Sequence, residues 1–324
     1  MKINLSKVLF LIMLNIGVMI SISSNNWILI WCGLEISMIS FMPLFVSNKI
    51  ITAESAIKYF IVQSVSSSML MLGMLIMIMK GEYNYDYMIK SSLLMKMGVA
   101  PFHNWILTVI EGLDLKMTFI MLTINKVTPI TIMSYTNSNL ILLSSINLVM
   151  ASILSMNQNS IKKLITYSSM FNMSLMLMII KMNLMWILYL MNYSILLAMM
   201  VLLMNKMKVM YINQVIMIDN KMINKMLVWT IMLSMGGMPP LMGFSIKYMV
   251  MQIMVDNNMY VPMFILITTS LVMMVVYLRM TFISIMSSSL SLKLLNFNMK
   301  LSSGFSLMIN LLLLPTIIST KLIN

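Results

Sequence analysis

The sequence predicts an all-α membrane protein with about eleven transmembrane helices. Of its 324 residues, 60% are hydrophobic and only 9% are charged. Apolar runs of about twenty residues, the length at which a helix crosses a bilayer, recur from one end of the chain to the other. The polar interruptions between these runs are mostly short, so consecutive helices are expected to lie antiparallel in one bundle.

The interruptions divide the chain into eleven spans. In order, these cover residues 3–22, 26–46, 54–79, 87–107, 115–135, 138–156, 160–180, 184–204, 226–254, 260–286 and 305–323. The whole chain, residues 1–324, is therefore expected to form a single transmembrane domain. Two longer polar stretches, 205–225 and 287–304, are predicted to be linkers.

The distribution of lysine predicts the orientation of these spans. The net charge of +13 arises from 21 basic residues, all of them lysine except Arg279, against 8 acidic residues. If the spans alternate, the loops on the side of the N-terminus carry Lys2, Lys49, Lys116, Lys162, Lys163, Lys206, Lys208, Lys221, Lys225, Lys293 and Lys300. The opposite side carries Lys80, Lys90, Lys181 and Lys321. Positive loops stay on the inner side, so the N-terminus is expected to face the cytoplasm or the matrix.

Three ionisable residues lie deep inside predicted spans. Glu35 is near the middle of the second span, Lys96 of the fourth and Lys126 of the fifth. Each charge at the bilayer centre costs about 2.5–3.5 kcal/mol, so such residues persist only if they are paired or hydrated. Glu35 and Lys96 have opposite charges at similar depth, which favours an ion pair between their spans. A purely structural pair is the alternative to a functional site.

Two spans contain clusters of helix breakers. Gly98 and Pro101 interrupt the fourth span, and the ninth is interrupted by Gly236, Gly237, Pro239, Pro240 and Gly243, with Lys247 following. Proline frees a backbone carbonyl that lipid cannot satisfy, so each break is expected in the interior of the bundle. A simple packing kink is the alternative for any one proline.

The spacing of the two breaks predicts an internal repeat. They lie five spans apart, and because five is odd, a repeat of that length would be inverted in the membrane. We therefore expect a first inverted repeat at 1–137, a second at 138–286, and a linker with a C-terminal helix at 287–324. Matched broken helices in inverted halves are typical of transport sites. With a lysine close to each break, the pattern indicates proton handling.

Other chemistries find no support in the sequence. It has no Walker loop, dinucleotide fingerprint or cysteine cluster, and its single histidine cannot provide a pair of haem ligands. Cys32 is expected to be a small buried hydrophobe. His103, two residues after Pro101, is a candidate proton relay, with a hydrogen-bonded packing histidine as the alternative. No cofactor or metal is expected in this chain.

Several dispersed motifs, in order between residues 27 and 286, carry a resemblance to a known family. They are WILIWCGLEISMISFMP, ESAIKYFIVQS, KMGVAPFHNW, NKVTPI, SIKKLITYSSM, SMGGMPPLMGFSIKY and VVYLRM. With them the chain resembles the subunit 2 family among the antiporter-like membrane subunits of respiratory complex I, the mitochondrial NADH:ubiquinone oxidoreductase. The resemblance implies the antiporter-like fold with two inverted five-helix repeats that contain broken helices.

The resemblance also implies a function. Protons would move from the matrix to the intermembrane space, coupled to NADH oxidation and ubiquinone reduction elsewhere in the complex. Glu35 would modulate a partner lysine, and three lysines would carry protons: Lys96 at the first broken helix, Lys126 on the central axis and Lys247 as the terminal lysine.

The same resemblance implies the surroundings of the chain. It would lie in the mitochondrial inner membrane, with its N-terminus in the matrix and its C-terminus in the intermembrane space. Its partners would be other membrane-arm subunits, including neighbouring antiporter-like subunits, and phospholipids, but no nucleic acid. NADH, FMN, iron-sulfur clusters and ubiquinone would bind in other chains.

The chain departs from the family pattern at two places. Leu107 and Thr108 replace a common Pro-Glu pair, which leaves Glu111 as the nearest acid. Asn172 and Ser174 replace a histidine and a glycine, and asparagine cannot take a proton near neutral pH. Asn172 and Glu111 therefore join His103 as candidate relays, with a hydrated path as the alternative. A stand-alone cation/proton antiporter and a structural scaffold subunit remain alternative functions.

Overall fold

A computed structural model describes residues 5–45, 50–80, 86–136, 140–214, 222–289 and 310. In these ranges the secondary structure is helical, and the only bridge between extended residues pairs Ser160 with Tyr211. The predicted all-α class is confirmed. The chain divides into two compact units, Met1–Asn139 and Leu140–Asn324. Whether these units are inverted repeats remains a prediction.

The first unit contains the helices α1 (Leu5–Ser23), α2 (Trp27–Phe45), α3 (Ile50–Lys80), α4 (Asp86–Met97), α5 (Asn104–Gly112), α6 (Leu115–Leu122) and α7 (Ile124–Tyr135). Helix α3 packs against α2, α4 and α5, and α7 packs against α1, α4 and α6. The polar or charged residues Gln63 and Lys96 are thereby buried among apolar side chains in this unit.

Helices α1 and α2 approach each other through glycine. A Cβ at Gly17 would lie 2.8 Å from the backbone nitrogen of Ser37, and one at Gly33 would lie 2.8 Å from the carbonyl oxygen of Gly17. Small residues that let helix backbones come this close are typical of packing inside membranes. The hairpin therefore depends on glycine at both positions.

The second unit contains α8 (Ile141–Met156), α9 (Ile161–Met178), α10 (Asn183–Met207), α11 (Met222–Gly236), α12 (Met242–Asp256) and α13 (Tyr260–Ser289). Helix α9 packs against α8, α10 and α12, and most of its residues are buried. Arg279 of α13 fixes the loop after α8, because its guanidinium donates to the carbonyl oxygens of Met156 at 2.8 Å and Gln158 at 2.7 Å.

Within the described ranges, six helical stretches are long and apolar enough to cross a membrane, one of them formed by α6 and α7 together. They are Leu5–Ser23, Trp27–Phe45, Ile50–Met79, Leu115–Tyr135, Met185–Met207 and Tyr260–Phe282. The two predicted spans that contain glycine and proline clusters each consist of two shorter helices, α4 with α5 and α11 with α12. The eleventh span, 305–323, lies outside the described residues except for Asn310. The count of eleven crossings stays a prediction.

Candidate proton-handling site

Two lysines of the first unit, Lys96 and Lys126, line the same cavity. Their exposed fractions are only 9% and 4%. The cavity holds about 30 Å³ of water-accessible space, enough for roughly two water molecules. The polar and charged side chains on its wall belong to Ser37, Tyr59, Gln63, Lys96, Trp105, Asn125, Lys126 and Thr128. Two cationic groups that share a small polar cavity can exchange protons through water.

Lys96 lies one residue before the end of α4, at the first break. Gly98 follows with φ +65°, a left-handed conformation that glycine adopts easily, and the helix resumes as α5. Two side chains donate hydrogen bonds to backbone carbonyls in the last turn of α4. Trp105 Nε1 donates to the carbonyl oxygen of Met95 at 3.1 Å, and Gln63 Nε2 donates to that of Lys96 at 3.4 Å.

Glu35 acts on this cavity from α2 without touching Lys96. Its charge interacts with Lys96 and with the Tyr59 hydroxyl. In the described ranges, ion pairs within 4.0 Å join Lys58 to Glu54 at 2.6 Å and Lys90 to Asp86 at 3.8 Å, and none joins Glu35 to Lys96. The pair expected from the sequence is thus a longer-range interaction here.

Tyr59 is a cavity residue that the sequence analysis missed. Three aromatic rings hold its own ring in place, with centroids 5.6 Å away at Phe41, 5.1 Å at Phe45 and 6.2 Å at Trp105. The contacts with Phe41 and Phe45 are edge-to-face and the one with Trp105 is tilted, and together they fix the direction of the side chain. No sequence signal separates this tyrosine from the other aromatic residues of the spans, because the cluster is built from three different helices.

Lys126 lies at an interruption that the sequence analysis did not predict. The fifth span was expected to be continuous, but α6 ends at Leu122, and α7 starts at Ile124 after Thr123. Lys126 is therefore in the first turn of α7, where its backbone nitrogen donates to the carbonyl oxygen of Thr123 at 3.1 Å. Pro129 in the same helix was the only local signal for irregular backbone.

Lys247 bridges the second break. Its Nζ donates to the carbonyl oxygen of Gly236, the last residue of α11, at 2.7 Å. The ammonium also lies 5.3 Å from the centroid of the Phe171 ring, a cation–π distance. Gly237 has φ +85°, and a Cβ there would lie 2.9 Å from the lysine Nζ. The buried lysine thus replaces a helical donor that the break removes.

Asn172 is locked between two partners on helices of the second unit. Its Nδ2 donates to the carbonyl oxygen of Ser168 at 2.8 Å, and its Oδ1 accepts a hydrogen bond of 2.6 Å from the Tyr189 hydroxyl. The amide therefore has a fixed orientation. An uncharged amide in this position can orient a hydroxyl or a water, but it cannot accept the proton itself.

The remaining predicted residues have different surroundings. His103 precedes α5 and is only 7% exposed, and its Nδ1 has no hydrogen-bond partner among the described residues. Glu111 is exposed and does not line the cavity. Lys225 was counted with the loop lysines, but it lies in α11 and is 3% exposed. Within the described ranges, no group of three potential metal-ligating side chains is present.

These features define a class of protein. It is a helical membrane protein that uses broken helices to place ionisable groups in its interior, as transporters do. Residues 24–274 match the family described as NADH:quinone oxidoreductase/Mrp antiporter, transmembrane. The match covers more than half of the chain. The chain therefore belongs to this family.

Similar proteins agree with this assignment. NADH-ubiquinone oxidoreductase chain 2 of Anopheles gambiae is 34% identical, and the alignment covers 98% of both proteins. The Bos taurus protein of the same name is 30% identical over 96% of this chain and 93% of its own. A chain in the structure of respiratory complex I from Thermus thermophilus has a TM-score of 0.82 at 18% identity, covering 96% of this chain and 77% of that one. At 18% identity, the structural similarity shows that the two chains share a fold.

Proposed function

We propose that this chain is a core membrane-arm subunit of respiratory complex I and contributes to proton translocation. The observation that carries the proposal is the cavity that Lys96 and Lys126 share beside the first helix break. The family and the relatives named NADH-ubiquinone oxidoreductase chain 2 support the same function. NADH oxidation and ubiquinone reduction occur in other chains of the complex, where NADH, FMN, iron-sulfur clusters and ubiquinone bind.

The four predicted charged residues have separate roles in this proposal. Lys96 and Lys126 exchange a proton through the cavity, and Glu35 changes the electrostatic field at Lys96. Lys247 carries a proton at the second break, close to the end of the path. His103, Asn172 and Glu111 remain candidate relays, and the burial of His103 supports that residue best.

The proposal includes the position of the chain in the cell. It crosses the mitochondrial inner membrane eleven times as two inverted repeats, with the N-terminus in the matrix and the C-terminus in the intermembrane space. The excess of lysine on the N-terminal side supports this orientation. Neighbouring antiporter-like subunits and phospholipids surround the bundle.

A stand-alone cation/proton antiporter is the second candidate, because the family description includes Mrp antiporters. Solubilisation of the native membrane in a mild detergent, followed by native electrophoresis, separates the two functions. A complex I subunit migrates in a large assembly that oxidises NADH in the gel. Migration only in small particles without NADH oxidation would contradict the proposed function and favour the antiporter.

A further inference from the structure

Asn125 is a buried amide without a visible partner. Both its Oδ1 and its Nδ2 are buried, and neither has a hydrogen-bond partner among the residues that the structure describes. Buried side-chain amides almost always bond to protein or to ordered water. Because no described residue bonds to either atom of the amide, we expect a bound molecule there that can both donate and accept hydrogen bonds.

The cavity next to Asn125 is suitable for such a molecule. Asn125 lines it together with Lys96 and Lys126, and its water-accessible space of about 30 Å³ accommodates roughly two water molecules. A stable buried water needs two to four polar partners. Asn125, Tyr59 and the two lysines all line the cavity, and each has a side-chain polar group that can bond to water.

The backbone carbonyl of Asn125 also lacks its usual helical hydrogen-bond donor. Asn125 is the second residue of α7, directly after the interruption at Thr123. Pro129, which also lines the cavity, has no N–H and cannot donate to the carbonyl of Asn125 four residues earlier. The side chain and the carbonyl of one residue thus both lack their usual partners beside a polar cavity.

We propose that Asn125 is a positioning residue that holds water in this cavity, and that this water carries protons between Lys96 and Lys126. The inference rests on the proposed function and assigns it a further residue. In the transfer, one ammonium gives a proton to water, and the water gives a different proton to the neutral amine of the other lysine. The charge moves from one lysine to the other, and no electron is transferred.

An amide suits this role because it remains neutral throughout the transfer. Its NH₂ donates to the oxygen of a water and its carbonyl accepts from another, but it does not trap the proton near neutral pH. Two ammonium groups on one small buried cavity repel each other, which favours a single positive charge that moves between them. Asn125 therefore orients the water molecules without binding the transferred proton itself.

Substitutions of Asn125 in the assembled complex test the proposal. Asn125→Leu has a similar volume but presents a hydrocarbon to the cavity, so the coupled rate of proton translocation should fall by about tenfold, the effect of one or two lost hydrogen bonds. Asn125→Ser keeps a polar group and leaves space for another water, so its rate should stay within about twofold of wild type. If Asn125 had only a packing role, Asn125→Leu would translocate protons faster than Asn125→Ser.

The solvent isotope effect provides a readout that packing would not change. The ratio of the rates in H₂O and D₂O should rise in Asn125→Leu, because proton transfer through the cavity becomes the slow step. A Leu variant with wild-type rate and isotope effect, or a Ser variant as slow as the Leu variant, would overturn the proposal.

If Lys126→Met lowers translocation while Asn125→Leu does not, this inference fails and the proposed function stands. If Lys126→Met has no effect, the proposed function itself fails.

A structure of the assembled wild-type complex that resolves water gives a test without any variant. The proposal expects water oxygens at about 2.7–3.2 Å from Asn125 Nδ2 or Oδ1. A dry cavity, or an Asn125 amide bonded on both sides to protein, would contradict it. This measurement decides the question even if the Leu variant does not assemble.

Discussion

Lys247 is both a buried charge and a structural partner of the broken helix. Its ammonium donates to the carbonyl oxygen of Gly236 at 2.7 Å, where α11 ends. A cation at a helix C-terminus is favoured by the helix dipole as well as by the hydrogen bond. The residue therefore stabilises the break and is available for proton transfer, and these two roles can be separated by experiment.

We expect Lys247→Met and Lys247→Gln to differ in stability but not in transport. Methionine leaves the Gly236 carbonyl without its donor, which costs about 1–3 kcal/mol, so the complex should denature at a lower temperature. Glutamine keeps an N–H donor but carries no titratable proton, so stability should be largely retained while proton translocation is lost. Thermal denaturation and proton pumping by both variants check this. Wild-type pumping by the Gln variant would show that Lys247 has only a structural role.

At the residue scale, the sequence predicts charged members of the site much better than neutral ones. Lys96, Lys126 and Lys247 are recognisable because a charge within an apolar span is costly, and all three are buried. Asn125 and Tyr59 give no comparable signal, because neutral polar and aromatic residues are common in membrane helices. Their relevance appears only when separate helices meet around one cavity.

At the scale of the helices, the two breaks share a local pattern. In each, a glycine with positive φ is followed three residues later by proline: Gly98 by Pro101 and Gly237 by Pro240. Glycine permits the reversal of the chain after the helix end, and proline prevents the helix from continuing. The donors differ, because Trp105 and Gln63 bond to the carbonyls at the first break and Lys247 at the second.

The adjacent glycines of the second break provide a matched pair of variants. Gly237→Ala should destabilise the protein by about 1–3 kcal/mol, because alanine at φ +85° is strained and its Cβ would press on the Lys247 ammonium. Gly236→Ala should be tolerated, since the nearest atom to a Cβ there is 3.7 Å away. Thermal stability of the two assembled variants is the measurement. Equal stability of both would contradict the proposed geometry of the break.

Some helix ends could be predicted from the sequence and others could not. Glycine and proline marked the ends of α4 and α11, but the proline closest to the end of α6 at Leu122 is Pro129, seven residues later. Thr123 instead donates through its hydroxyl to the carbonyl oxygen of Phe119 at 2.7 Å. Threonine forms this bond in many continuous helices as well, so its presence in the sequence does not predict an interruption.

At the scale of the whole molecule, composition was sufficient for the fold class but not for the site. In the part of the chain that the structure describes, six helical stretches have the length and hydropathy of membrane spans, and several other helices are shorter because breaks divide them. Length and hydropathy can be read from a short window of the sequence. The cavity beside Lys96 cannot, because residues from α2, α3, α4, α5, α6 and α7 line it. Orientation and the inverted repeats rest on the positions of lysine and of the breaks, and they remain predictions.

The central claim is that Lys126 carries protons through the bundle. Its most direct test is the rate of NADH-driven proton translocation by the assembled complex with Lys126→Met. The matched control is Lys58→Met, because Lys58 lies on α3 with a side chain 45% exposed and an ordinary ion pair to Glu54. The account predicts that coupled translocation falls at least about tenfold in the first variant and stays at the wild-type level in the control. A wild-type rate of NADH-driven proton translocation by an assembled Lys126→Met complex would contradict it.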